Sequence, residues 1–90
     1  MSKVIKLNRR YKLYKEHGCT HAIRFSGWTT EVAKVEQFFR EHYGSDYSWN
    51  KPTMWKTHWA KANGRFNSRS YFIGVKDEEM IFVAKLAGAI

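Results

Sequence analysis

Several kinds of residue are scarce in this chain, and each scarcity excludes something. Among 90 residues there is a single cysteine, Cys19, so no internal disulfide can form, and a lone thiol fits a reducing compartment. There is one proline, Pro52, and no Pro-, Gly- or Ser-rich stretch that would serve as a linker between domains. No apolar run approaches the ~20 residues needed to span a membrane. The longest, from Met80 to Ile90, is interrupted by Lys85. The first six residues carry Lys3 and Lys6 without the apolar core of a secretory signal, so a cytoplasmic protein is expected. Acidic residues are also few: eight Asp and Glu against sixteen Lys and Arg, a formal charge of +8 with His neutral.

What the chain does have is enough apolar surface to fold. Hydrophobic residues make up 43% and aromatics 17% of the sequence, well above the composition of a disordered polycation. A chain of this length forms one domain with one modest core, burying roughly 60% of the surface its unfolded form exposes.

The charge excess is unevenly spread. Residues 1–24 contribute +6, residues 25–46 contribute −2, residues 47–75 contribute +5 with no acid at all, and residues 76–90 contribute −1. Solvating charge is usually mixed, whereas the footprint of a polyanion is clustered. If the two basic segments lie side by side, the molecule has one basic face.

Hydrophobic periodicity predicts a helix from about Thr30 to Tyr43, because Val32, Val35, Phe39 and His42/Tyr43 recur at steps of three and four. Thr29 or Thr30 can cap its start, Glu31 suits its first turn, and Gly44 suits the left-handed residue that ends a helix. Elsewhere the period is two. Tyr11 and Leu13, then His21, Ile23 and Phe25, alternate with polar or small residues and predict two strands joined by a hairpin at Gly18. A third strand is expected over Met54–Lys61, with Trp55, Thr57 and Trp59 on one face and Lys56 and His58 on the other. Asn63-Gly64 then predicts a turn, Tyr71–Val75 a strand, Lys76–Glu79 another turn and Met80–Leu86 a last strand. The expected fold class is α+β: a small two-layer sandwich with a mainly antiparallel sheet of about five strands and one covering helix. In such a fold the helix hides one sheet face, and the other must be solvated, paired or used.

The segment from Tyr47 to Tyr71 interleaves Tyr47, Trp49, Trp55, Trp59, Phe66 and Tyr71 with Lys51, Lys56, Lys61, Arg65 and Arg69. Single-stranded nucleic acid is held by this combination, since bases stack on aromatic faces for about 1–3 kcal/mol each while cations neutralise phosphates. The plainer reading is that the tryptophans are core and the lysines an ordinary solvated face. Arg9, Arg10 and Lys12, with Lys15, form a second basic cluster that suits a phosphate backbone or merely protects an edge strand. His17, Cys19 and His21 lie within five residues, but alternate strand positions are about 6.6 Å apart, too far for one ion. No metal site and no cofactor are expected.

Catalytic signals are thin. Glu31, Glu36 and Glu41 step by five along the predicted helix and so spread around it, and phosphate loops and nucleophile elbows are lacking. The aromatic signature of the RNA-recognition motif and the GXXG loop of KH domains are lacking too. The expectation is a non-catalytic nucleic-acid-binding protein favouring RNA or single strands, because stacking needs unpaired bases and the one clear helix is net acidic. Its contacts would be Arg9, Arg10, Lys12, Lys51, Lys56, Lys61, Arg65 and Arg69 to phosphates and Trp55, Trp59 and Tyr71 to bases. A homodimer formed through a sheet edge would extend that face. Two alternatives stand beside it. One is a small regulatory factor, of the kind viruses use in host takeover, that binds an acidic protein through the same charges and aromatic anchors. The other is a metal-independent ribonuclease using His42 or His58 as its acid or base.

Overall fold

A computed structural model describes residues 2–26, 30–61 and 69–90. The expected Asn63-Gly64 turn, Arg65, Phe66 and the cap at Thr29 lie outside the described residues. The element order is β1 (Ser2–Lys6), α1 (Lys12–His17), β2 (His21–Phe25), α2 (Thr30–Tyr43), β3 (Trp55–Lys61), β4 (Arg69–Val75) and α3 (Glu78–Leu86). The four strands form one antiparallel sheet in the order β1-β2-β4-β3. The α+β class stands, with four strands and three helices among the described residues in place of five strands and one helix. No helix among these residues is long and apolar enough to cross a membrane.

The helix α2 has the expected bounds and stripe. Val32, Val35 and Phe39 are fully buried, and the chain leaves the helix through Gly44 at φ +84°, with the Gly44 amide donating to the Arg40 carbonyl at 3.1 Å. Two segments expected as strands are helices. Met80–Leu86 is apolar and rich in β-formers, but Asp77 ahead of it caps a helix, its side chain accepting from the Glu79 amide at 3.0 Å. At the other end Gly88, at φ +77°, gives a Schellman closure: Ala89 donates to Ala84 and Gly88 to Lys85. Tyr11 and Leu13, whose spacing suggests a strand, belong to the short α1 and its entry. Asn8 turns the chain by accepting from the Arg10 amide at 2.9 Å, and Gly18, at φ +72°, ends the helix rather than forming a hairpin. Ser2–Lys6, to which the sequence reading assigns no element, is an edge strand paired with β2.

Two separate apolar clusters sandwich the sheet. The larger lies between one face and α2 with α3, and contains Ile23, Phe25, Val32, Val35, Phe39, Trp55, Tyr71, Ile73, Val75, Met80, Ile81 and Ala84. The smaller lies on the opposite face beneath α1 and contains Leu7, Leu13, Cys19, Ala22 and Phe72. At Gly74 the Leu13 side chain of α1 and the Cys19 that follows the helix press close on the sheet. A Cβ built there would meet Leu13 Cδ1 at 2.9 Å, Cys19 Sγ at 3.1 Å and Cys19 Cβ at 3.2 Å. Glycine inside a strand often marks such an approach of another element; here it lets a six-residue helix with one buried side chain, Leu13, seat itself.

Candidate functional site

Sheet register decides which side chains share a face. On the face under α2 and α3, β3 places Trp55, Thr57 and Trp59, and β4 places Tyr71, Ile73 and Val75. On the other face the register aligns Lys3, Arg24, Phe72 and His58 in one row across all four strands. The neighbouring row, Ile5, Ala22, Gly74 and Lys56, is the one nearest α1. The six-residue α1 is too short to cover the whole face, so the Lys3–His58 row runs along its margin. A cleft of about 230 Å³ opens there, lined by Arg10, Tyr11, Lys12, Leu13, His58 and Phe72.

The cleft is apolar below and cationic above. Leu13 and Phe72 are buried. The Tyr11 ring meets Phe72 edge-on, with centroids 6.3 Å apart and planes at 66°, and His58 lies 6.5 Å from Phe72 at a shallower 31°. Arg10 and Lys12 are exposed and also line an adjoining depression of about 350 Å³ with Lys15 and Glu16. Glu16 holds the Lys12 ammonium at 3.7 Å, one turn along α1. Partial burial, helped by the positive charge of Lys12, pushes the His58 imidazole below its ordinary pKa; Glu16 opposes this and His17 adds to it. At neutral pH His58 is therefore an uncharged ring. Beside the cleft, Arg24 is oriented by donating from Nε to Ser70 Oγ at 3.2 Å.

The sequence-based site residues divide between the two faces. Arg10 and Lys12 line the cleft, and Arg9 is exposed in the turn before it. Lys56 shares the cleft's face, its ammonium 5.4 Å from the centre of the Tyr47 ring, while Lys51 is exposed in the loop before β3. Lys61 and Arg69 pair through their backbones at the far end of the β3–β4 ladder, and Arg65 is outside the described residues. The three aromatics expected to stack on bases, Trp55, Trp59 and Tyr71, are on the other side of the sheet. Trp55 is fully buried, its indole N–H donating to the Gly44 carbonyl at 2.8 Å and its ring under the Arg40 guanidinium at 5.6 Å. It has no surface to offer a base. Tyr71 is buried too, its hydroxyl donating to Glu36; burial and that carboxylate push its pKa up to about 12. Trp59 is 45% exposed but packs on Tyr71, with centroids 4.7 Å apart.

The rings that do share the basic face, Tyr11, His58 and Phe72, were not among the sequence candidates for stacking. A signal existed for Phe72, which falls out of phase with Tyr71, Ile73 and Val75 and so takes the opposite face of β4. The histidines and cysteine do not converge. Cys19 is buried beneath α1, where burial raises its pKa, and His21 faces the other way and approaches Glu78 at 3.1 Å. His42 stacks on Phe38 at 4.1 Å on α2, across the sheet from His58. Among the described residues no three His, Cys, Asp or Glu side chains gather as a metal site. Comparison with protein-family models, with curated proteins and with solved structures finds no match to this chain.

Proposed function

We propose that the protein binds single-stranded nucleic acid, with RNA preferred, over the face of the sheet that α1 covers only in part, and that it does so without catalysis. The observation that carries this reading is the cleft between α1 and the Lys3–Arg24–Phe72–His58 row, where an aromatic floor is bordered by Arg10 and Lys12. Strands stand about 4.8 Å apart, so the row spans roughly 14 Å, and its cationic end at Lys3 and Arg24 continues the charge of Arg10 and Lys12 across the sheet. Phosphates meet cations along that path, and unpaired bases meet the rings beside it. A duplex hides its base faces and would gain from the charges alone.

The test is a titration of labelled single-stranded RNA, single-stranded DNA and duplex DNA at several salt concentrations. Unpaired strands bind more tightly than duplex, and affinity falls steeply with salt as counterions are released. Absence of binding at about 50 mM salt, where electrostatic attraction is strong, overturns the reading. It would favour an acidic protein partner instead, for which the 85% exposed Trp49 and 68% exposed Tyr47 in the loop before β3 are the natural anchors.

A further inference from the structure

We infer that the cleft is a pocket for one nucleotide, which takes the base between Tyr11, Phe72 and His58 and the attached phosphate on Arg10, Lys12 and Lys15. This rests on the single-strand reading above and adds to it a defined subsite.

Size is the first argument. Pockets for drug-sized molecules begin at about 300 Å³; at about 230 Å³ this cleft accommodates a single ring system and not a chain of them. Chemistry is the second. A flat heteroaromatic ligand suits walls made of rings, and the Tyr11 and His58 rings stand at 66° and 31° to Phe72 rather than stacking flat on it, so that they border a slot. An aliphatic ligand would gain from apolar burial but not from ring-on-ring contact, and a charged one would lose its hydration against Leu13 and Phe72. Charge is the third. The adjoining depression shares Arg10 and Lys12 with the cleft and adds Lys15, three cations against the single carboxylate of Glu16. An anion attached to the ring therefore lands on positive charge within one residue's reach of the base. The neutral state of His58 at pH 7 fits a ring placed against a base, with the phosphate held by permanent cations.

The experiment follows the ring and amide resonances of the intact protein by NMR while AMP, adenosine, inorganic phosphate or O-phosphotyrosine is added to millimolar concentration, alongside a labelled oligonucleotide titration. AMP shifts the Tyr11, His58 and Phe72 ring signals and gives intermolecular contacts from its adenine protons. It binds more tightly than adenosine or phosphate alone, and the double variant R10A/K12A, altered only at exposed side chains, weakens it at least about tenfold. Phosphate binding as tightly as AMP, phosphotyrosine binding more tightly than AMP, or AMP leaving the three rings unmoved overturns the pocket. If the rings stay unmoved while the oligonucleotide still binds, the pocket fails and the single-strand reading survives elsewhere on the surface. If AMP fills the cleft and no oligonucleotide binds, the pocket holds and the single-strand reading fails.

Discussion

The two faces of the sheet are built from the same four strands and are finished in opposite ways. One is packed under α2 and α3, and two of its aromatics are locked: Trp55 by its bond to Gly44, Tyr71 by its bond to Glu36. The other, among the described residues, carries the six-residue α1 and the segments that lead into and out of it, and its margin leaves Phe72 and His58 at the edge of a basic cleft. Large rings alone therefore say little about binding. What separates a core tryptophan from a cleft-lining ring here is the length of the helix laid over it.

Substitutions break this contrast in a graded way. Trp55→Ala removes the largest fully buried side chain of the face under α2 and α3 and costs about 3–5 kcal/mol. Urea denaturation measures the loss, while the fraction that remains folded binds oligonucleotide as before; a loss of affinity without a loss of stability would place Trp55 in the interface after all. Gly74→Ala acts on the other side. Leu13's tip can swing aside, but Cys19 Cβ at 3.2 Å must give, so α1 is pushed off the sheet at a cost of about 1–3 kcal/mol. Because Arg10 and Lys12 travel with α1, this variant loses oligonucleotide affinity as well as stability, and unchanged affinity would show that α1's seat does not matter to binding.

The double substitution R10A/K12A leaves both clusters intact and changes the melting temperature little. Affinity drops, and the slope of log K against log salt becomes shallower by about 1.4, two contacts at about 0.7 each for a single strand. The smallest effects are with pH, and the faces respond at opposite ends of the scale. Tyr71 ionises near 10 when unfolded and only at about 12 when folded, so stability falls as pH rises above 10, and Tyr71→Phe removes that dependence. His58 is held below its ordinary 6.5, so the unfolded chain takes up the proton first and stability falls as pH drops through and below 6.5. His58→Gln removes that slope in thermal melts at pH 5 to 7; an unchanged slope would assign it to another group.

The fold was legible wherever local signals agreed. For α2, the stripe of Val32, Val35 and Phe39 and the terminal Gly44 point to the same element, and they match the structure residue for residue. For α3 two signals conflicted: the apolar, β-rich Met80–Leu86 suggests a strand, whereas Asp77 with Glu78 and Glu79 caps a helix, and the cap with its packing prevailed. No periodicity could reveal α1, because its six residues make fewer than two turns and bury one side chain, Leu13, so no apolar position recurs. That omission also left open which face of the sheet carries the cleft. Alternation in β3 already separates Trp55 and Trp59 from Lys56 and His58, but which phase meets solvent depends on what covers each face. Without α1 and α3 the sequence offers no way to choose, so the sequence points to Arg10 and Lys12 but not to Tyr11, His58 and Phe72, which line the same cleft.

The pairing of β2 with β4 joins residues such as Phe25 and Tyr71 that are far apart in the chain, and the cleft lies across that seam. Arg10 to Leu13 come from the β1–α1–β2 unit, a local structure, while His58 and Phe72 come from the β3–β4 pair. Closing the long loop between the two is the slow step that topology imposes on such a sheet. The cleft thus exists only once that seam has closed: a chain cut anywhere between β2 and β3 keeps every residue of the cleft, yet has a cleft only when both pieces find each other again.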